Sequence, residues 1–174
     1  MIVDITSRED IEELGKKLFK FYRHLDFSKP DGKNGEIDKN TPKDSSYEEC
    51  KKIAGDLVSD GLDKWIDRCE LALLGGAKIF GLKIDGQIVG GICIIFVESM
   101  LDGVLECSEL FWYVDEKYRG KGISLLLHAE KYAKQRGAKR MIMIYLINSM
   151  PEKLEKLYTR MGFRELERSY IKEL

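Results

Sequence analysis

Tyr118-Arg119-Gly120-Lys121-Gly122-Ile123-Ser124 follows an apolar, aromatic run, Leu110-Phe111-Trp112-Tyr113-Val114, and precedes Leu125-Leu126-Leu127. An extended run that turns through a basic, glycine-containing loop into a helix is a device for holding an anion. The first N–H groups of a helix have no partner within it, and the peptide dipoles leave roughly half a positive charge at that end. Gly120 and Gly122 lack Cβ atoms, so a bulky anion can approach the main chain, and Arg119 and Lys121 add charge beside it. The stretch reads as a pyrophosphate cradle between a strand and a helix.

Working outward, Leu126, Ala129 and Ala133 continue a helical stripe, and Gly137 sits where a C-cap belongs. Met141 to Ile147 is a fully apolar run, expected as a strand inside the sheet. Pro151 suits the first turn of another helix, carried on by Leu154, Leu157, Tyr158 and Met161 and ended by Gly162. Phe163 to Ile171 is expected as a last strand. Before the cradle, Lys78–Ile84 and Gln87–Val97 flank Asp85-Gly86, a hairpin signal, and Leu105–Val114 follows as a third strand. These three strands form an antiparallel meander, and the helix after Val114 joins strands that should be parallel neighbours.

The first part of the chain is helical after a short opening strand, Met1 to Ile5. Thr6 and Glu9 have capping-box spacing. Ile11, Leu14, Leu18 and Leu25 recur at helical intervals. Turn residues fill His24 to Ser46, a length usually functional or disordered. A second helix starts at Ser45–Glu48 and is expected to break at Gly61, with a further piece through Trp65 and Cys69 up to Gly75-Gly76. The element order gives a single mixed α/β domain, mostly antiparallel, with helices on both faces.

Bulk properties narrow the function. The 174 residues are 44% hydrophobic and 34% charged, with a formal net charge of −1. Nucleic-acid binding is disfavoured by that balance and by the lack of a basic stripe. No apolar run approaches the roughly 20 residues that span a bilayer. Met1-Ile2-Val3-Asp4-Ile5 does not open a secretory signal. Cys50, Cys69, Cys93 and Cys107 match no zinc or redox spacing, so reduced thiols, no metal and a cytoplasmic location are expected. Lys121 precedes the second glycine of the loop, unlike a nucleotide-triphosphate P-loop.

Arg119-Gly120-Lys121-Gly122-Ile123-Ser124 resembles the acyl-CoA-binding signature of the GNAT superfamily of N-acetyltransferases: Arg or Gln, two residues, Gly, one residue, then Gly or Ala. Arg119 and Gly122 match, and Ser124 departs at the last position with another small residue. Leu157-Tyr158-Thr159-Arg160-Met161-Gly162-Phe163 looks like that family's late Leu-Tyr…Gly-Phe element. The resemblance is strong over residues 77–165 and architectural before them. It implies an acyl-CoA-binding core at 77–174 and a variable helical acceptor-side part at 1–75, with the loop 24–46.

The resemblance implies that acetyl-CoA is the cosubstrate and that a small-molecule or peptide amine accepts the acetyl group. It also implies a splayed central strand pair, ending at Val114 and near Ile147, in whose gap the pantetheine arm would pair with the main chain near Tyr113 and Val114, while the pyrophosphate would sit on the amides of Arg119, Gly120, Lys121, Gly122, Ile123 and Ser124. Tyr158 matches the Tyr that often protonates the departing thiolate; a half-buried core aromatic is its alternative. Glu109 is the candidate base. It lies five residues before Val114, where the family pattern often has six, and a β-bulge would restore its facing. Its alternative is a rim carboxylate or an ion-pair partner, with Ser108 and Asp115 as weaker substitutes for the base. Asn148 is the candidate for a contact with the CoA arm, although it lies ten residues before Tyr158 rather than seven. A non-catalytic acyl-CoA-binding module on the same fold is the competing function. The sequence does not decide the oligomeric state, a homodimer included.

Overall fold

Asp85 and Gly86 both have positive φ, 49° and 80°. This is the backbone of a tight hairpin turn whose twist matches its strands. It joins β2 (Lys78–Ile84) to β3 (Gln87–Glu98), and β4 (Leu105–Val114) returns alongside β3. With β1 (Ile2–Asp4) and β5 (Arg140–Ile142), the sheet runs in the order β1-β2-β3-β4-β5. All neighbours are antiparallel except β4 and β5, which are parallel. The helices are α1 (Arg8–Tyr22), α2 (Asp56–Leu74), α3 (Ile123–Gln135) and α4 (Pro151–Arg160), and a 3-10 turn, Glu116–Lys121, precedes α3. The computed structural model describes residues 1–22, 56–145 and 151–169, without the side chains of 19–22 and 56–60. The expected loop 24–46, His24, Cys50 and Asn148 lie outside them.

Side chains alternate across the sheet, so it carries two cores. Ile79, Cys93 and Phe111 face Ile11, Leu14 and Leu18 of α1 and Leu62, Ile66 and Cys69 of α2. Phe80, Ile92, Ile94 and Val114 face Leu125, Leu126, Ala129 and Ala133 of α3. The architecture is a single mixed α/β domain, as the element order predicts.

Four expectations change in detail. The cap of α1 is Ser7, not Thr6: the Asp10 N–H donates to Ser7 Oγ at 3.2 Å, and Ser7 Oγ donates to the Asp10 carboxylate at 3.1 Å. Helix α2 runs through Gly61 without a break. One glycine costs a helix only about 1 kcal/mol, less than the packing of Leu62, Ile66 and Cys69 returns. β5 ends at Ile142 and lies at the sheet edge among the described residues. Residues 163–169 form no strand. Arg164 to Ser169 are all exposed and include one apolar residue, Leu166, so this stretch has no alternating face to bury.

Helices α1 and α2 cross closely at Gly15. A Cβ there would lie 2.7 Å from Leu62 Cδ1 and from the Trp65 ring. Gly15→Ala ought to raise helix propensity by about 1 kcal/mol, but the overlap with buried carbons opposes it. We expect Gly15→Ala to lower the thermal midpoint and Gly15→Val to destabilise by roughly 1–3 kcal/mol. Denaturant titration checks this; a stabilised Gly15→Ala would show that the crossing is loose.

Candidate active site

The pairing of β3 with β4 slips once. Cys93 is opposite Phe111, but Ile94 is opposite Glu109, so Leu110 is the extra residue of a β-bulge. In a regular strand Glu109 and Trp112, three apart, would face opposite ways. The bulge turns them to the same face, opposite Ile94 and Ile92 of the α3-side core. Leu110 takes the outward place, half exposed. Ser108 pairs with Ile95, which packs in the α1-side core, so it faces away from Glu109.

Glu109 is the one charged residue buried among the described residues, at 7% exposure. Its Oε2 accepts the Ile144 N–H at 3.2 Å. Burial pushes its carboxyl up to about 7, and the Ile144 hydrogen bond pulls the other way and loses. The Tyr158 hydroxyl donates to the Ile144 carbonyl at 3.4 Å. Glu109 and Tyr158 thus grip the N–H and C=O of one residue. Burial raises the Tyr158 pKa, and the charge of Glu109 raises it further. The phenol is therefore protonated at neutral pH. Its ring is buried between Trp112 (6.4 Å between centroids, 27° between planes), Tyr145 (6.3 Å) and Phe163 (5.6 Å).

This is where β4 and β5 part. Their parallel pairing covers Glu106 with Arg140, Cys107 with Met141 and Ser108 with Ile142, and stops at the bulge. The strand expected through Ile147 is cut short because the next β4 residue offers a side-chain carboxylate to Ile144 in place of the main-chain ladder.

The other end of β4 leads into the basic turn. Tyr113 points to the α1-side core, and its hydroxyl donates to Asp115 at 2.7 Å, with Lys17 Nζ 3.6 Å from the same carboxylate. Asp115 is thus engaged in holding α1 to the start of the turn. Val114 is buried, and the main chain then passes through the 3-10 turn that the sequence reading did not anticipate. Gly122 caps it with ordinary right-handed angles, φ −62° and ψ −28°. A Cβ at Gly122 would lie 3.0 Å from Val114 Cγ2 and 3.1 Å from the Arg119 carbonyl oxygen. Its smallness therefore serves helix–strand packing rather than an approach from outside. Gly120 differs: a Cβ there meets nothing within 4 Å.

The Gly122 N–H donates to the Arg119 carbonyl at 2.9 Å, and Ser124 Oγ donates to the Lys121 carbonyl at 2.7 Å. Ile123 and Ser124 are the first two residues of α3, where no preceding turn supplies an α-helical acceptor for the N–H. Lys117 and Lys121 bring their ammonium groups over the Tyr118 ring, at 4.7 and 6.0 Å, and Arg119 Nη1 lies 3.6 Å from Glu116. An open glycine, three cationic side chains and a helix start fit a diphosphate.

Residues 45–163 match the acetyltransferase (GNAT) family. The chain belongs to that family. Solved structures repeat its fold along the whole length. A Pyrococcus furiosus protein assigned as an acetyl transferase is 23% identical, with a TM-score of 0.65, over 100% of this chain and 99% of that one. The ribosomal-protein-alanine N-acetyltransferase of Brucella melitensis biovar Abortus 2308 is 17% identical, with a TM-score of 0.60 over the same shares. A Trypanosoma brucei acetyltransferase is 18% identical with a TM-score of 0.59, again over 100% and 99%. No curated protein matches the sequence. At these identities the neighbours show the fold alone.

Of the residues singled out in the sequence, the structure joins Glu109 and Tyr158 through Ile144 and places Arg119 to Ser124 across the junction of the 3-10 turn and α3. Cys69, Cys93 and Cys107 are buried free thiols, pushed up to about 12, 12 and 11 by desolvation, and so poor nucleophiles. His128 packs its ring on Phe80 at 4.7 Å. The sequence reading missed Trp112, Ile144 and Tyr145, whose parts depend on tertiary contacts.

The buried carboxyl makes a stability prediction. Its folded value, about 7, lies above its ordinary 4.5, so the fold prefers the neutral acid. The stabilising contribution is complete below pH 4.5 and is lost as pH rises through 7. At about 1.4 kcal/mol per decade, the swing is of order 3 kcal/mol. We expect the wild type to lose stability between about pH 5 and pH 8 relative to Glu109→Gln. Chemical denaturation of both proteins across that range checks it; parallel stability curves would show that Glu109 stays solvated.

Proposed function

We propose that this chain transfers an acetyl group from acetyl-CoA to a primary amine of a small molecule or peptide, with Glu109 as base and Tyr158 as acid. The observation that carries the reading is the shared residue: a carboxyl poised near 7 and a protonated phenol meet at Ile144, where β4 and β5 separate. Acyl-CoA supplies a thioester activated toward amines. The rest falls to the chain's own groups.

A free amine is mostly protonated at neutral pH and cannot attack a carbonyl. Glu109, ionised for about half the time near pH 7, takes that proton, so the nitrogen lone pair is released. A bond forms from nitrogen to the acyl carbon, the carbon–sulfur bond breaks, and the Tyr158 hydroxyl gives its proton to the sulfur. The nitrogen gives up two protons, the first to Glu109 and the second to solvent once its bond to carbon has formed; Tyr158 loses one to sulfur, exchange with solvent resets both side chains, and one proton is released overall. The main chain of Tyr113 and Val114 is the expected partner of the pantetheine arm. The turn from Arg119 to Ser124 holds the diphosphate. Holding amine and thioester together supplies a large part of the rate.

The division into an acceptor side at 1–75 and a cofactor core at 77–174 follows the same logic, since α1 and α2 cover the face opposite α3 and α4. A cytoplasmic location suits the reaction and the unpaired thiols among the described residues; no described helix is long and apolar enough to cross a membrane.

Release of free CoA thiol from acetyl-CoA, measured over a panel of amines, tests the reading. We expect Glu109→Gln to cut kcat/KM by roughly 100-fold and to abolish the rise in activity with pH centred near 7. Tyr158→Phe should cut kcat by roughly 100-fold with acetyl-CoA affinity within a few-fold of wild type. Tight acetyl-CoA binding with no thiol release for any amine would instead favour a binding module. An unmoved pH profile in Glu109→Gln would remove Glu109 from the base role.

A further inference from the structure

Trp112 Nε1 is buried and has no hydrogen-bond partner; it is the only such side-chain atom among the described residues. An indole N–H left without an acceptor is destabilising, and buried Trp N–H groups usually find one. The ring stands on the face that the Leu110 bulge shares with Glu109, stacked on Tyr158. Its Cζ2 would be 3.5 Å from a Cβ at Gly122, so the ring edge that carries the nitrogen lies against the turn into α3. The indole therefore spans the space between the candidate acid and the candidate diphosphate turn. The residue as a whole is only partly buried.

We infer that the Trp112 indole N–H is a donor held for an acceptor oxygen of bound acyl-CoA, which makes Trp112 a cosubstrate-binding residue. The inference rests on the acyl-CoA reading above. A preset, unpaired donor gains a full hydrogen bond on binding and gives up none to water, so its contribution is larger than that of a solvated group. Stacking on Tyr158 also links the filled site to the acid. The acceptor is a diphosphate oxygen or a pantetheine amide carbonyl, both of which accept an N–H.

The chain has two tryptophans, Trp65 and Trp112. Proton–nitrogen correlation spectra of the wild type therefore show two indole resonances, which Trp112→Phe assigns. With saturating acetyl-CoA we expect the Trp112 resonance to move downfield and its proton to exchange more slowly with solvent, while Trp65, packed on Phe111, stays in place. Adenosine diphosphate and acetyl-pantetheine, added separately, tell which oxygen accepts. The fragment that reproduces the shift carries it, and a shift seen with the intact cosubstrate alone still supports the inference. Trp112→Phe should weaken acetyl-CoA binding by roughly tenfold in calorimetry. Binding with an unmoved Trp112 resonance overturns this inference and leaves the proposed function standing. No binding to the wild type overturns both.

Discussion

A single extra residue in β4 organises the site. If Leu110 were paired in a regular ladder, Glu109 would point with Phe111 into the face covered by α1 and α2. The bulge reverses every side chain on its N-terminal side relative to Val114. Glu109 then shares a face with Trp112 and comes within reach of Tyr158's helix. The same slip ends the pairing with β5, because the main-chain partner that Ile144 would need is replaced by the Glu109 carboxylate. Side-chain direction and strand separation thus have one cause. The bulge is tolerated because its outward residue, Leu110, is half exposed and does not need a packing partner.

Around this point the packing is tight where it fixes main chain and open where a ligand would come. A Cβ at Gly91 would overlap Leu14 of α1, and one at Gly122 would press on Val114. These contacts set the distances of α1 and α3 from the sheet. Asp115 adds a polar tie, joining Tyr113 and Lys17 of α1 to the residue that starts the turn. The candidate diphosphate turn is therefore anchored from both faces. Its outer edge, at Gly120, is left clear.

The strand–turn–helix unit was legible because each level of the sequence agrees there: an apolar run, two glycines and a helical stripe. Asp85-Gly86 marked its hairpin for the same reason. Tyr158 and Glu109 could be singled out by residue type and by resemblance, but their meeting at Ile144 depends on a bulge. A bulge has no residue signature when its extra position is an ordinary leucine; only the one-residue misfit in spacing before Val114 hinted at it. Gly61 misled because a local propensity of about 1 kcal/mol was weighed without the tertiary packing that overrides it. The shortened β5 and the missing last strand have a common lesson: apolar or alternating residues make a strand only when a neighbouring ladder is there to receive them. Sequence shows that Gly122 lacks a Cβ without showing that the missing atom would point at Val114 rather than outward.

The electrostatics of the pair follow from where it is buried. Desolvation acts on Glu109 and Tyr158 in the same chemical direction, favouring the neutral form of each. For Glu109 this brings the carboxyl to about 7, where it can take and release a proton. For Tyr158 it does the opposite of activation as a base: the phenol holds its proton more firmly, and more so when Glu109 is charged. One environment therefore sets the two proposed roles apart without a second device. The ionised carboxylate is the state that can accept a proton from an amine, and it is also the state that keeps the phenol loaded. In the proposed reaction, once Glu109 has taken a proton its charge is gone, and the restraint it placed on Tyr158 is lifted at the moment when a leaving sulfur would need a donor.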